Sequence, residues 1–300
     1  MEYYYQIYGL NIKSEIELPE AYEISATTNI EVIISYGIMP DFILDKKANG
    51  SYSSVFQREY SWVYYEDEGD FLMLHGKEII VMLANQYNLK HIRAIILGTC
   101  LGNILYQRET IAIHGGAVVL GDKAVVVSGV SGAGKTTVSM ALREKGAKFL
   151  ADDTVVAIAE SENIYAYPGY PQQKMCKDTV TRFGVDINSL IELEEERDKY
   201  AVELKKEFCN VKRAIHLLVF LDIAEGDELI VEELQGNDKL QYLLQNQYAI
   251  DSFKRGGMNQ TIFRKCVECA NQVKMILIAR PRGKDCSEKI SNIIINNLAD

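Results

Sequence analysis

Residues Ala124 to Thr137 read AVVVSGVSGAGKTT, and they restrict the fold more than any other stretch of the chain. A run rich in β-branched residues ends at Gly129, glycines recur through Gly134, and Lys135-Thr136-Thr137 opens a helical pattern. Branched side chains suit a strand, and a short glycine turn lets a helix follow at once and pack back on it, which predicts an α/β unit. The spacing Gly129-x4-Gly134-Lys135-Thr136 is that of a phosphate-binding P-loop. Glycines let successive backbone N–H groups converge on phosphate oxygens where a side chain would block the approach. The helix start adds unpaired N–H groups and a partial positive charge. The bland alternative is a structural glycine turn, but the strand–loop–helix context favours a nucleoside triphosphate. The residues expected to bind it are Gly129, Ser131, Gly132, Ala133, Gly134, Lys135, Thr136 and Thr137, with Lys135 reaching the terminal phosphates and Thr136 ligating Mg²⁺.

The whole chain limits the partners. At 300 residues it exceeds what one core ordinarily serves, so two lobes are expected: a β-rich N-terminal lobe over 1–88 and a catalytic P-loop domain over 89–300. The net charge of −10 argues against nucleic acid or an anionic membrane as the main partner. No apolar run approaches the roughly 18 residues needed to span a bilayer. The opening MEYYYQIYG lacks the basic and apolar regions of a signal peptide. Six scattered cysteines fit a reducing, cytoplasmic setting. Cys266 and Cys269 have the spacing of a metal-ligand pair, yet no second pair accompanies them, and in a helical pattern such residues simply share a face.

Along the first lobe, an aromatic strand ends at Gly9, and short strands are expected at Ile16 to Leu18 and Glu31 to Tyr36. A meander is expected from Glu59 to Tyr65, Phe71 to His75 and Glu78 to Leu83. Helical spacing of Ile92, Ile95, Ile96, Thr99, Cys100, Ile104 and Leu105 predicts a helix from Leu89 to Gln107, opening the second domain. Thr110 to Leu120 reads as a strand pair or a strand bent at Gly115-Gly116. Further strands are expected at Lys148 to Ala151, Val155 to Ala159, Asn163 to Ala166, Ala214 to Ile223 and Val273 to Ala279. Helices are expected at Lys135 to Lys145, Lys177 to Phe183, 192–207, Asp238 to Arg255, Gln260 to Asn271 and Cys286 to Leu298. Of these, 192–207 reads as a charged surface face.

The acids decide between a motor, a switch and a kinase. Asp152-Asp153 ends a predicted strand directly after the P-loop helix. Two adjacent carboxylates there suit two tasks: one can support Mg²⁺, and the other can accept a proton from a hydroxyl that attacks the γ-phosphate. Asp222 competes, because an apolar strand ending in Asp is what holds Mg²⁺ in a plain NTPase. That alternative is a nucleotide-gated regulatory ATPase; another is a kinase acting on a small metabolite. His114 stands beside Gly115-Gly116, which leave room for a ligand, so phosphate contact or proton handling joins the ordinary structural role among its readings.

The run His114-Gly115, the P-loop from Gly129 to Thr136, and Leu150-Ala-Asp152-Asp153 together resemble the catalytic domain of the HPr kinase/phosphorylase family, itself distantly similar to phosphoenolpyruvate carboxykinase. The resemblance covers roughly residues 110–225 well and the remainder loosely. It implies an α/β P-loop fold of that type and ATP- and Mg²⁺-dependent transfer to a serine hydroxyl. By residue, it implies Asp153 as general base, Asp152 and Thr136 at the metal, Lys135 on the phosphates and His114 in the phosphate pocket. The family's Glu-Ile-Arg-Gly-Leu-Gly-like segment is absent, and Pro168-Gly-Tyr-Pro-Gln-Gln-Lys174-Met175 takes its place. With the opening YQIYGLNIKSEIELPE and the closing ARPRG, this version is more similar to the HPr-kinase-like serine kinases of peptide-modification pathways. The acceptor so implied is a peptide or small protein rather than HPr, with the β lobe and the Tyr167–Met175 loop shaping its binding. HPr kinases form homo-oligomers, and the resemblance leaves that state open here. Lys174, Arg280 and Arg282 are candidate contacts to phosphate or carboxylate.

Overall fold

The computed structural model describes residues 1–50, 54–182, 191–194, 199–248 and 260–299. They divide into two compact units, one built on Met1–Ala112 with residues 260–262, the other on Ile113–Tyr248 and Phe263–Asp300. The dividing line falls after the helical segment of residues 89–107, where the sequence reading had put it before. Gln107 supplies the reason, since its Nε2 donates to the Met73 carbonyl and its Oε1 accepts from the Gly76 N–H at 2.7 Å, holding the helix to the first sheet.

The first unit carries β1 (Tyr3–Ile7), β2 (Leu10–Ser14), β3 (Tyr22–Glu23), β4 (Val32–Tyr36), helix α1 (Asp41–Ala48), β5 (Ser54–Phe56), β6 (Tyr60–Tyr65), β7 (Gly69–Leu74) and β8 (Glu78–Leu83). These strands form one mixed sheet in the order β3-β1-β2-β4-β8-β7-β6-β5, and β6 to β8 are the expected meander. Trp62, Phe71 and Leu72 are buried without exposure. Ile16 to Leu18 is not a strand. Ser14 Oγ donates to the Ile16 carbonyl and accepts its N–H, which turns the chain, while the Leu18 N–H donates to the Tyr5 hydroxyl at 2.8 Å. Ile16 and Leu18 are apolar because they enter the core from a loop. Helix α2 (Leu89–Ile95), a π-type stretch Ile96–Cys100 and α3 (Leu101–Gln107) follow.

The second unit opens within β9 (Ile111–Leu120), one continuous strand through Gly115-Gly116 and not a strand pair. The glycines there serve a close approach. A Cβ on Gly115 would lie 2.5 Å from the Val127 carbonyl oxygen of the adjacent β10 (Lys123–Gly129). Next come α4 (Lys135–Glu144), β11 (Lys148–Ala151), β12 (Thr154–Glu160), β13 (Asn163–Tyr167), β14 (Gln172–Cys176) and α5 (Lys177–Arg182). After them stand β15 (Ile191–Glu194), β16 (Lys199–Glu203), β17 (Arg213–Ala224), β18 (Ile230–Glu233), α6 (Gly236–Gln245), α7 (Gln260–Gln272), β19 (Lys274–Pro281) and α8 (Ser287–Ala299).

Strands β10, β9, β12, β13 and β17 hydrogen-bond in succession, and β17 pairs with β10 in parallel, which closes the circuit. β19 extends the parallel set on the other edge of β17. Val125, Val127, Leu217, Val219, Leu221, Ile276 and Ile278 alternate along these strands and pack on Val138 and Leu142 of α4 and on Ile290 and Ile294 of α8. That period-2 face is what the helices bury.

Two helix expectations need correction. Residues 192–207 include β15 and β16, which form a three-stranded antiparallel sheet with β14, and a short 3₁₀ turn Lys205–Glu207. Tyr200, Val202 and Leu204 alternate into a cluster with Phe149 and Met175, and the charged residues flanking this run obscured its period. Helix α6 ends at Gln245, well short of Arg255; residues 249–259, like Phe183, lie outside the described residues.

Candidate active site

Parallel strands β10, β17 and β19 run side by side; β10 ends at Gly129 opposite Leu221, and β17 and β19 continue three residues further, to Ala224 opposite Pro281. The carboxyl ends of parallel strands are where α/β sheets present ligand sites. Gly129, at φ 127°, leads out of β10 against β17, and a Cβ there would sit 2.0 Å from the Leu221 carbonyl oxygen. Only glycine fits, so the first glycine of the motif is fixed by packing as much as by any ligand. The chain then turns through Gly132 and through Gly134, which caps the start of α4 in the left-handed region. Lys135 Nζ lies back over this loop, donating to the Gly129 carbonyl at 2.8 Å and the Val130 carbonyl at 3.2 Å.

Arg280 holds the loop from its outer side. Its Nε donates to the Ala133 carbonyl and its Nη2 to the Gly132 carbonyl, both at 2.7 Å. Nη1 donates to the Pro281 and Lys284 carbonyls. The guanidinium is therefore engaged with backbone oxygens, where the sequence reading had it on phosphate or carboxylate.

One cavity of about 300 Å³ gathers most of the sequence-predicted residues: His114, Ser131, Gly132, Gly134, Lys135, Thr136, Thr137, Asp152 and Asp153 all line it, with Lys174. Gly129 and Ala133 support the loop without lining this cavity, and Asp222 does not line it. The Asp222 carboxylate instead accepts the N–H of Ile223 at 2.8 Å.

The aspartates are positioned by three elements. Asp153 follows β11 at φ 65°, a conformation that Asp tolerates better than most residues and that is often found at functional sites. Its carbonyl accepts the Gly115 N–H and the Nδ1–H of His114 at 3.1 Å. Because a carbonyl only accepts, this contact places a proton on His114 Nδ1. The Asp153 carboxylate lies 3.5 Å from the same nitrogen and accepts from Lys174 Nζ at 3.1 Å. The Asp152 carboxylate accepts the backbone N–H of Lys174 at 2.9 Å. One residue of β14 thus contacts both acids. Burial, then the neighbouring Asp153, pushes the Asp152 carboxyl up to about 6, against the pull of the Lys174 N–H. Burial opposes the charge on Lys174, but Asp153 and other anionic neighbours outweigh it, and its ammonium is held above the usual range.

Tyr248, just past α6, stacks on His114 with ring centroids 6.3 Å apart at 27°. Nothing in the sequence pointed to it, because the pairing joins residues distant along the chain. The backbone does the joining: the His114 N–H donates to the Asn246 carbonyl at 2.7 Å, and Gln247 bridges to Ile113.

No family model matches the chain, and no curated protein does. Among solved structures it is similar to the HPr(Ser) kinase/phosphatase from Coxiella burnetii, at 13% identity over 63% of this chain and 90% of that one, with a TM-score of 0.34. A likeness of that degree carries no chemistry, so the function must be argued from the cavity.

Elsewhere, Cys266 and Cys269 lie buried on α7, and burial pushes both thiols up to about 12. Among the described residues no group of three or more His, Cys, Asp or Glu side chains is placed to hold a metal ion, and no helix is long and apolar enough to cross a membrane.

Proposed function

We propose that the chain is an ATP- and Mg²⁺-dependent kinase that transfers the γ-phosphoryl group to a serine or threonine hydroxyl of a peptide or small protein. One observation supports this most: two adjacent carboxylates open into the cavity that the glycine loop, Lys135 and Thr136 line. A switch or motor needs the loop; a pair of acids beside it, one of them bonded to a lysine, suits proton transfer from an incoming nucleophile.

The donors fit magnesium. That ion takes oxygen ligands and is ordinarily held by one or two carboxylates, with phosphate and water completing the shell. Thr136 and Asp152 would hold it here, and the strain of keeping Asp152 charged beside Asp153 is of the kind a cation relieves. When bound, the ion would neutralise charge on the β- and γ-phosphate oxygens.

Asp153 takes the proton of the acceptor hydroxyl. The acceptor oxygen forms its bond to the γ-phosphorus as the bond to the bridging oxygen breaks, and the diphosphate leaves. Loop N–H groups and Lys135 stabilise the charge on the transferred group, donors set before the reaction begins. Lys174 orients the Asp153 carboxylate, and His114, held by the Asp153 carbonyl, lines the phosphate pocket. The peptide acceptor is carried by the sequence resemblance of the 168–175 segment.

The test is incubation with ATP and Mg²⁺ against serine peptides and, separately, small alcohols, with phosphate addition read by mass spectrometry. Phosphopeptide that disappears with Asp153→Asn is the expected result. Turnover that survives Asp153→Asn but not Asp222→Asn would assign the chain to the regulatory ATPases instead.

A further inference from the structure

Strand β14 is an edge of its three-stranded sheet and hydrogen-bonds to β16 on one side. We infer that its open side takes the acceptor as an added strand, so that an extended peptide segment carries its hydroxyl to Asp153. This rests on the kinase reading above and deepens it, since it names how the acceptor is held.

The register fixes which backbone groups face outward. The Pro171 carbonyl accepts the Leu204 N–H at 2.8 Å. In an antiparallel pair alternate residues turn their N–H and C=O to the partner, so Pro171, Gln173 and Met175 bond toward β16 while Gln172, Lys174 and Cys176 turn away. The Lys174 N–H agrees with that parity, leaving the sheet to reach the Asp152 carboxylate at 2.9 Å. The Gln172 N–H is taken by the Tyr170 carbonyl at 2.7 Å. Left on the open side at the end of the strand are the Lys174 carbonyl and the Cys176 N–H, and the described residues supply no partner to either. One residue of a parallel strand can serve both, its N–H donating to the first and its carbonyl accepting from the second.

These groups stand where the chemistry is. Lys174 and Cys176 line the same cavity as Asp153, Lys135 and the glycine loop, with Thr179 just beyond. The Lys174 ammonium meets the Asp153 carboxylate at 3.1 Å, so a residue seated on the Lys174 carbonyl lies beside the side chain that holds the base. Open edges are ordinarily blunted, because bare N–H and C=O groups invite pairing with another chain. Here the Asp152 carboxylate covers one N–H and stops short of the next. Pairing through the main chain supplies affinity that a peptide can use and a small alcohol cannot.

The experiment uses the full chain with ATP and Mg²⁺ and, as probe, a degenerate library of short peptides with a central serine, read by mass spectrometry. The sequence phosphorylated fastest is then remade with one N-methyl group at each backbone nitrogen in turn. Methylation is expected to raise KM at every second residue, by about tenfold at the most sensitive, because a strand turns alternate N–H groups to its partner. On the protein, Cys176→Pro removes the outward N–H at an edge position where proline is tolerated. Its peptide KM is expected to be about tenfold above that of Cys176→Ala, which keeps the donor. Calorimetric titration with ATP shows whether the proline variant is folded, and the methyl scan on the wild-type chain decides the matter if it is not. Insensitivity to methylation, sensitivity without a two-residue period, or equal KM for the folded proline and alanine variants would overturn the inference and leave the kinase reading standing. A library that yields no phosphopeptide would overturn it together with the peptide acceptor of that reading.

Discussion

Arg280 Nε donates to the carbonyl of Ala133 at 2.7 Å, joining the end of β19 to the glycine loop across 147 positions of sequence. With Nη2 on Gly132, two successive loop carbonyls are held on the outer side. Replacing this fork with methionine keeps the stem and removes the donors. Arg280→Met is expected to weaken nucleotide binding by about an order of magnitude, and Arg280→Lys, with one donor head for two carbonyls, to recover only part of it. Titration calorimetry with ATP checks the order wild type, lysine, methionine.

Removing the base should separate binding from turnover. In Asp153→Asn the side chain keeps its size and loses its proton affinity, so phosphoryl transfer is expected to fall by about 10²-fold or more. ATP affinity should change by only a few fold. Steady-state kinetics beside direct titration measures both quantities.

Stability should report on Asp152 through pH. Its carboxyl is raised in the folded chain to about 6 from 3.8. A raised acid binds more protons folded than unfolded, so stability falls as pH climbs from about 4 to about 6 and stays reduced above that range. Asp152→Asn, which keeps an acceptor for the Lys174 N–H, is therefore expected to unfold at a higher temperature than wild type at pH 8. The advantage is at most about 3 kcal/mol. It should shrink toward pH 4. Thermal unfolding in a chelating buffer across that range is the measurement; a constant offset at every pH contradicts the argument.

Gly129 is predicted to tolerate no side chain. Its Cβ would lie 2.0 Å from the Leu221 oxygen, and its φ of 127° disfavours any L residue. Gly129→Ala should cost several kcal/mol, on the order of 3. Denaturant unfolding of this variant beside Gly121→Ala, which also has a positive φ but nothing within 4 Å, separates crowding from backbone strain.

The parts legible in sequence were those with short-range causes. Glycine spacing announced the turn after β10, and a near-continuous apolar run announced β17. The acid pair stood where a strand had to end. What escaped depends on contacts made across the chain. Tyr248 reaches His114 because β9 and the end of α6 share backbone bonds, and no local pattern encodes that. The inward period of Tyr200, Val202 and Leu204 lay among lysines and glutamates that read as a solvated helix. Arg280 was recognised as chemically apt for a planar partner, but that partner is the peptide backbone itself.

The closed circuit of β10, β9, β12, β13 and β17 leaves the strand before the glycine loop flanked on both edges, by β9 and by β17. A strand so enclosed cannot fray without breaking two ladders at once. The disorder surrendered in shaping the cradle is thus lost once, as the polypeptide folds, and not again at each encounter with a nucleotide.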